Sequence, residues 1–297
     1  MFSELNKQTV VELTTPLLSA KQIKLMVQRE DLNDKHCMGN KWWKLKYNLQ
    51  KAIELKQDTV VTFGGAYSNH IVATASACQR LGLKSIGIIR GEELSKENPT
   101  LRKAAKFGMR FRFIDREQYR VKERIDWQMH YENCYVVPEG GTNELAVKGC
   151  AEMLPEMDFD YVCVPVGTGG TLSGIVRALK NHQTALGFSS LKGGEYLNET
   201  IEKYVESKNW KMITDYHFGG YAKISEELIA FMNHFKEQHS ILLDPIYTAK
   251  MFYGIFDMIK GDLILPNSTI LAIHTGGIQG IEGMNQRIKS KGWKIDF

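Results

Sequence analysis

The chain has 297 residues, of which 43% are hydrophobic, and this is enough apolar material for a full core in one large or two medium domains. Its 38 basic and 34 acidic residues are dispersed along the sequence and give a formal net charge of only +4, which argues against a nucleic-acid or membrane partner. Five cysteines without a Cys-x-x-Cys pair indicate neither a disulfide framework nor a thiolate metal site. We expect no metal, no membrane-spanning segment and a reducing, cytoplasmic location.

From residue 59 onwards, short apolar runs alternate with amphipathic helical segments. Strands are predicted at residues 59–63, 85–90, 109–114, 134–137, 161–166, 241–243 and 269–273. Helices are predicted at residues 69–81, 99–107 and 142–153, and from Leu172 onwards. This alternation is typical of parallel, doubly wound sheets with right-handed crossovers. Residues 187–220, which hold two glycine pairs, are predicted to form surface loops around one helix.

Three glycine-rich turns follow predicted strands: Gly64-Gly65, Gly167-Thr168-Gly169-Gly170-Thr171 and His274-Thr275-Gly276-Gly277. Turns after parallel strands meet at one edge of a sheet, where ligands bind. In the second turn, glycines allow backbone N–H groups to converge on a dianion, and the following helix directs its positive end toward it. This predicts a phosphate site, with an ordinary tight turn as the alternative, because neither a Walker A motif nor a complete Gly-x-Gly-x-x-Gly is present.

Lys41 lies upstream of these turns, in a run of bases and tryptophans. Considered alone, the run is either the solvated start of a helix or a platform on which nucleic-acid bases stack. Ser68 and Asn69, at the start of a predicted helix, are by themselves most simply N-cap residues. A reactive amine together with a phosphate site, however, favours pyridoxal phosphate (PLP) as cofactor.

Taken together and in order, five motifs resemble the fold type II PLP enzymes of the 1-aminocyclopropane-1-carboxylate (ACC) deaminase and D-cysteine desulfhydrase family. They are Gly39-Asn40-Lys41, Ser68-Asn69-His70, residues 167–171, Asp244-Pro245-Ile246-Tyr247 and residues 274–277. The resemblance covers nearly the whole chain. It implies an α/β fold of two doubly wound parallel-sheet domains, similar to the tryptophan synthase β subunit, in a homodimer. The large PLP-binding domain would comprise residues 1–43 and 142–297, and the inserted small domain residues 44–141.

The resemblance also implies a role for each matching residue. Lys41 matches the lysine that forms the Schiff base, and Asn69 the partner of the cofactor's phenolic oxygen. Ser68 matches the serine that meets the substrate carboxylate, and Tyr247 the tyrosine that handles a proton. The remaining implied cofactor contacts are the phosphate loop Gly167, Thr168, Gly169, Gly170 and Thr171, Thr248 facing the pyridine nitrogen, and Thr275 beside the substrate's side chain.

Thr248 and Thr275 bear on which reaction the resemblance implies. ACC deaminases have glutamate and leucine at these positions, whereas D-cysteine desulfhydrases are similar to this chain. A neutral residue beside the ring nitrogen makes the ring a weaker electron sink, which suits elimination of a thiolate. We therefore expect α,β-elimination from D-cysteine or a related β-substituted amino acid, giving pyruvate, ammonia and hydrogen sulfide. The alternatives are an ACC deaminase that forms 2-oxobutanoate and ammonia, and a PLP-binding protein without turnover.

The chain departs from the family pattern at three places. Trp43 stands where the family commonly has arginine, and Tyr67 where it has glutamine. Val72-Ala73 stands where the family frequently has an Arg-Gln pair. These larger or less polar side chains predict a narrower pocket and an altered substrate preference.

Overall fold

The computed structural model describes residues 9–92 and 98–297, which form ten strands and eleven α-helices. The strands are β1 (Val10–Leu13), β2 (Lys24–Gln28), β3 (Thr59–Gly64), β4 (Lys84–Arg90), β5 (Arg110–Ile114), β6 (Cys134–Val137), β7 (Tyr161–Val166), β8 (Thr184–Ser189), β9 (Trp210–Ile213) and β10 (Thr269–Ile273). The helices are α1 (Pro16–Ala20), α2 (Asn40–Glu54), α3 (Asn69–Arg80), α4 (Pro99–Lys106), α5 (Arg116–Arg120), α6 (Glu144–Ala151), α7 (Gly170–Ala178), α8 (Leu197–Glu202), α9 (Glu226–His239), α10 (Thr248–Lys260) and α11 (Gly280–Ile288).

A six-stranded sheet has the order β1-β2-β10-β7-β8-β9. Only β1 runs antiparallel to its neighbour; the other adjacent pairs are parallel. Strand β2 pairs with β10 along its whole length, from Lys24 opposite Thr269 to Gln28 opposite Ile273. The centre of this sheet therefore combines segments from near both ends of the chain.

A second sheet of four parallel strands has the order β5-β4-β3-β6. All its strands lie between residues 59 and 137, so it is a continuous section of the sequence inserted between β2 and β7. Gly64 at the end of β3 pairs with Ile89 near the end of β4, which brings the following loops to one edge. The two parallel sheets confirm the predicted fold class. The exact domain boundaries stay a prediction, and α2 runs across the expected division at residues 43/44.

Helix α2 joins the two sheets through a shared apolar core. Its Leu45 and Leu49 are fully buried in one cluster with Val60 of the small sheet and Val162 of the large sheet. Burial of such side chains contributes roughly 1.5–3 kcal/mol each, so the cluster fixes the position of the helix. Since α2 begins at Asn40, this packing also fixes the start of the helix, where Lys41 lies.

Two glycines allow α2, α6 and α7 to pack at very short distances. An added Cβ at Gly149 in α6 would lie 2.0 Å from the carbonyl oxygen of Trp43 in α2. An added Cβ at Gly174 in α7 would lie 2.4 Å from the Cβ of Cys150. The backbones therefore approach closely only because these positions lack a side chain.

Two sequence predictions are wrong in the segments between the large-sheet strands. Residues 241–243 form no strand in the structure, although Ile241 and Leu243 are buried; this apolar run packs into the core without pairing. The segment 187–220 contains helix α8, as predicted, but also strand β9, which pairs with β8 at the sheet edge. A run of apolar residues indicates that a segment is buried, but it does not show whether that segment pairs with an adjacent strand.

Within the described ranges, no helix is both long and apolar enough to cross a membrane. All five cysteines are buried and free.

Candidate active site

A cavity of about 1190 Å³ lies where the ends of strands from both sheets meet. All three glycine-rich turns open onto it, as the spacing predicts. The predicted site residues in its wall are Lys41, Ser68, Asn69, Gly167, Thr168, Gly169, Thr171, Tyr247 and Thr275. Gly170 lies directly behind the wall as the first residue of α7, and Thr248 is also not part of the wall. The structure thus brings residues from five separate sequence motifs into one site.

Lys41 is held at the cavity by its neighbours in the Gly39-Asn40-Lys41 motif. Gly39 has a φ of 71°, and a Cβ there would lie 1.9 Å from the carbonyl oxygen of Thr275, so only glycine fits. Lys41 Nζ donates to Asn40 Oδ1 at 3.1 Å, and Asn40 Nδ2 donates to Thr171 Oγ1 at 2.8 Å. Burial lowers the pKa of Lys41, which favours the neutral, nucleophilic amine.

The loop after β7 has the geometry expected of a phosphate site. Gly169 lies in the left-handed region with a φ of 82°, and α7 begins at the next residue, so its free N–H groups point toward the loop. A Cβ at Gly167 would lie 3.0 Å from Tyr247 Cε1, and one at Gly170 would lie 2.8 Å from Thr142 Oγ1. The glycines therefore leave the backbone accessible where a side chain would fill the space.

Lys44 is a second lysine in this wall, and the sequence analysis did not assign it a role. Its Nζ donates to the carbonyl oxygen of Gly140 at 3.0 Å, to Thr142 Oγ1 at 3.1 Å and to Thr168 Oγ1 at 3.2 Å. Burial, with Lys41 nearby, lowers its pKa to about 7. The Lys44 amine is therefore partly protonated at neutral pH, and a dianion bound beside Thr168 would favour its charged form. The three-residue spacing from Lys41, which puts both lysines on one helix face, was the signal that could have revealed it.

Ser68 and Asn69 lie at the start of α3, in the opposite wall. Ser68 occupies the N-cap position, yet its side chain makes no capping hydrogen bond, so its hydroxyl is available to a ligand. Asn69 Oδ1 accepts from Gln279 Nε2 at 3.1 Å. His70 is buried with Nε2 2.8 Å from Thr62 Oγ1, and burial holds its pKa well below the usual value, so it is neutral.

Tyr247 packs against the phosphate loop and beside a second tyrosine. Its ring centroid is 6.2 Å from that of Tyr221, with the planes at 65°. Burial raises the pKa of Tyr247 well above its usual value, and Tyr221 adds to this shift. Both hydroxyls are therefore protonated at neutral pH. Tyr221 was missed because it directly follows segment 187–220, which was predicted to form surface loops; its position after Gly219-Gly220 was the signal that could have revealed it.

The two threonines of the substrate argument occupy different environments. Thr275 is in the cavity wall and is 7% exposed. Thr248 is fully buried behind the wall, and its Oγ1 accepts from the backbone N of Asp244 at 2.7 Å. The structure therefore gives the Thr248 hydroxyl a backbone partner, and its predicted contact with the pyridine nitrogen stays a prediction.

Asp244 is a buried carboxylate next to the site that the sequence analysis treated only as part of a motif. Its Oδ1 accepts from the backbone N of Ile246 and of Tyr247, at 3.0 and 2.5 Å. Its Oδ2 has no hydrogen-bond partner among the described residues. Burial raises the pKa of Asp244 to about 7, so the carboxyl is partly protonated at neutral pH.

The three departures from the family pattern lie at different depths. Trp43 Nε1 donates to Glu30 Oε2 at 2.7 Å, so the indole satisfies a buried carboxylate. Val72, a residue of α3, is buried in a core cluster with Ile89 of β4. Tyr67 is in the cavity wall and is 52% exposed. Of the three, only Tyr67 contacts the space that a substrate can enter.

Comparison with known proteins agrees with this geometry. Residues 9–276 match the family model described as "Pyridoxal-phosphate dependent enzyme". The chain is 32% identical to "Putative 1-aminocyclopropane-1-carboxylate deaminase" of Pyrococcus abyssi, over 95% of this chain and 94% of that protein. It is 30% identical to "Bifunctional D-cysteine desulfhydrase/1-aminocyclopropane-1-carboxylate deaminase, mitochondrial" of Arabidopsis thaliana, over 86% of this chain and 73% of that protein.

Among solved structures, an ACC deaminase homologue superimposes with a TM-score of 0.82 at 29% identity, covering 96% of this chain and 93% of the other. The glycine loop, the helix start behind it and the buried amine of Lys44 fit the phosphate of PLP, and Lys41 is the second amine in the same wall. The protein is PLP-dependent. The chain belongs to the pyridoxal-phosphate dependent enzymes, in the family of ACC deaminases and D-cysteine desulfhydrases.

Proposed function

We propose that this enzyme catalyses α,β-elimination from D-cysteine or a related β-substituted amino acid, giving pyruvate, ammonia and hydrogen sulfide. The observation that supports the proposal is the Thr275 hydroxyl in the cavity wall; the resemblance implies that Thr275, together with Thr248, stands where D-cysteine desulfhydrases have small hydroxyl residues and ACC deaminases have leucine and glutamate. The Thr275 hydroxyl is in the cavity wall, where it can hydrogen-bond a substrate's side chain. A site that hydrogen-bonds a substrate group discriminates against analogues that lack it.

The residues of the chain divide the chemical work. The Ser68 hydroxyl and the N-terminus of α3 bind the substrate carboxylate, because a helix N-terminus favours an anion. Lys41, with its lowered pKa, takes the α-proton. Tyr247, which burial keeps protonated, donates a proton to the departing β-substituent. Bound PLP supplies the electron sink for the negative charge that develops at the substrate's Cα.

The second candidate function is ACC deamination to 2-oxobutanoate and ammonia. The names of the Pyrococcus and Arabidopsis relatives support it. The third reading, PLP binding without turnover, would keep Lys41 and the phosphate loop but release no keto acid.

Covalent attachment of the cofactor tests the assignment of Lys41. Borohydride reduction of the yellow holoenzyme followed by peptide mapping should place the label on Lys41 and leave Lys44, one helical turn away, unmodified. Label on Lys44, or a protein that stays colourless after incubation with PLP, would contradict the proposed site.

A substrate screen tests the reaction. The holoenzyme is incubated with D-cysteine, L-cysteine, β-chloroalanine, D-serine and ACC, and the keto acid is identified together with any sulfide. Pyruvate and sulfide from D-cysteine support elimination. Release of 2-oxobutanoate from ACC without sulfide from D-cysteine would transfer the assignment to the deaminase.

A further inference from the structure

Arg90 lies in the wall of the active-site cavity, at the edge where the small sheet meets the loop from Gly65 to Ser68. It is the last residue of β4, and the pairing of Gly64 with Ile89 brings the end of β4 beside the loop that leads to Ser68. A Cβ on Gly65 would lie 3.8 Å from Arg90 Nη2. The guanidinium therefore faces the same space as the proposed carboxylate site.

An aromatic ring holds the Arg90 side chain in place. The guanidinium carbon is 5.6 Å from the centroid of the buried Tyr119 ring, and Lys122 Nζ is 4.6 Å from the same ring. Lys122 in turn pairs with Glu139 at 3.1 Å. Stacking on an aromatic ring orients a guanidinium and leaves its N–H donors free.

The donors of Arg90 have no carboxylate partner in the described part of the chain. Four acidic residues share the cavity wall: Glu92, Asp115, Glu117 and Glu139. Glu139 is paired with Lys122, and Asp115 Oδ1 accepts from two backbone N–H groups at the start of α5. Neither Glu92 nor Glu117 makes an ion pair with Arg90, since no side chain in residues 9–92 and 98–297 does so within 4.0 Å.

The size of the cavity shows that there is room for a group at this position. Ligand pockets usually measure ~300–1,000 Å³, and this one measures about 1190 Å³. Building on the proposed elimination, we propose that Arg90 binds a tetrahedral oxyanion on the β-carbon of the substrate, so that the enzyme takes β-substituted amino acids whose leaving group is a phosphate or a sulfate. Planar guanidinium donors bind such oxyanions in a two-point arrangement.

The reaction on such a substrate balances without a further reagent. The α-proton leaves to Lys41, and the β-carbon–oxygen bond breaks with its electron pair going to the phosphate or sulfate. The product is 2-aminoacrylate, which takes up one water and releases pyruvate and ammonia. Arg90 stabilises the departing group, which gains one unit of negative charge as it takes the electron pair of the broken bond.

The experiment compares Arg90→Met with Arg112→Met. Arg112 is a matched control, because it too stacks on an aromatic ring, 5.8 Å from Trp127, but it is not in the cavity wall. Both enantiomers of O-phosphoserine and serine O-sulfate are compared with β-chloroalanine, whose substituent carries no charge. The readout is the ratio of kcat/KM for each ester to that for β-chloroalanine, with pyruvate and phosphate or sulfate as products.

We expect Arg90→Met to lower this ratio about 10- to 100-fold, the range for loss of a charged hydrogen-bonding partner, and Arg112→Met to leave it unchanged. Preference between the two esters identifies the oxyanion. An unchanged ratio in Arg90→Met, or turnover of β-chloroalanine but of neither ester by the wild type, would overturn the proposal.

A binding measurement separates this proposal from the proposed function. If no amino acid is turned over, elimination is wrong, and the absorption of the bound cofactor then reports binding directly. O-Phosphoserine should change that absorption in the wild type, and titration should show an affinity at least tenfold lower in Arg90→Met. D-Alanine, whose side chain carries no charge, is the reference. Equal affinity in both proteins, or no response in the wild type, would reject the role of Arg90.

Discussion

Lys41 and Lys44 lie one helical turn apart on α2, and the hydrogen-bonding partners of their amines differ. In the described part of the chain, Lys41 has Asn40 as its one hydrogen-bonding partner and lies at the open cavity, and burial lowers its pKa, which favours the neutral amine. Lys44 has three oxygen acceptors around its Nζ, which hold its amine in one position. This difference in hydrogen-bonding partners supports the proposal that Lys41 reacts with the cofactor and that Lys44 binds its phosphate.

The first prediction concerns Lys44. Lys44→Met should weaken PLP binding about 10- to 100-fold, because it removes a charge-assisted contact worth roughly 1.5–3 kcal/mol beside the phosphate loop. Titration of the cofactor-free protein with PLP, followed by absorption, measures this. Lys46→Met is the control, since Lys46 lies on the outer side of α2 paired with Glu152. Equal affinity of Lys44→Met and wild type would remove Lys44 from the phosphate site.

The second prediction concerns Thr275. Thr275→Val, which keeps the shape and removes the hydroxyl, should reduce sulfide release from D-cysteine about 2- to 10-fold, since one neutral hydrogen bond contributes roughly 0.5–1.5 kcal/mol. Thr275→Leu should reduce it further by filling the cavity, and Thr275→Ser should retain most of the activity. Sulfide production by Thr275→Leu at the wild-type rate would show that this position does not select the substrate.

The third prediction uses the titration of Asp244. Its pKa is raised from 3.8 to about 7 in the folded protein, so the folded state binds a proton that the unfolded state has lost between these pH values. The free energy of unfolding therefore falls as the pH rises from 4 to 7, by up to about 1.4 kcal/mol per pH unit from this group. Urea unfolding of Asp244→Asn between pH 4 and 7 should lack this contribution, so that its free energy of unfolding declines less with rising pH than that of the wild type. Identical slopes in both proteins would contradict the assignment.

At the scale of secondary-structure elements, the contact between α2 and α6 carries the fourth prediction. Gly149→Ala places a methyl group 2.0 Å from the carbonyl oxygen of Trp43, so α2 and α6 must separate. Overpacking of this kind costs roughly 1–3 kcal/mol. Thermal unfolding should occur at a lower temperature, and PLP affinity should fall as well because Lys41 and Lys44 move with α2. In the control Gly82→Ala a Cβ contacts nothing within 4 Å; strain at the positive φ of Gly82 can lower its unfolding temperature, but its PLP affinity should be unchanged.

The elements also show what the sequence can and cannot predict. Strands such as Tyr161–Val166 and helices such as Asn69–Arg80 have a clear period and clear turn signals, and they were found within one or two residues. Strand β9 has only four residues and a lysine among them, so its identity depends on pairing with β8. The spacing from Lys41 marks Lys44 and the preceding glycines mark Tyr221, but their contacts with Thr168 and Tyr247 depend on tertiary packing of distant segments, which a local pattern does not record.

For the whole molecule, the fifth prediction is that cofactor-free protein is cleaved by a protease near residue 141, where the small sheet's section of the chain ends. Gly140 and Gly141 both have a positive φ there, and Lys44 bonds to the Gly140 carbonyl oxygen. PLP should slow this cleavage by holding Lys44 and the loop together. A protease pattern unchanged by PLP would contradict the predicted division at residues 141/142. The predicted homodimer is tested separately, by sedimentation velocity.

The pairing of β2 with β10 has a consequence for the order in which the protein is made. The four strands of the small sheet follow one another closely, so they can pair while the ribosome is still translating the rest of the chain. Strand β2 can pair early with β1, but its parallel partner β10 lies about 245 residues downstream. Thr275, whose carbonyl oxygen contacts Gly39 beside Lys41, directly follows that late strand. The contact of Gly39 with Thr275, next to Lys41, can therefore form only after the ribosome has translated β10 and Thr275.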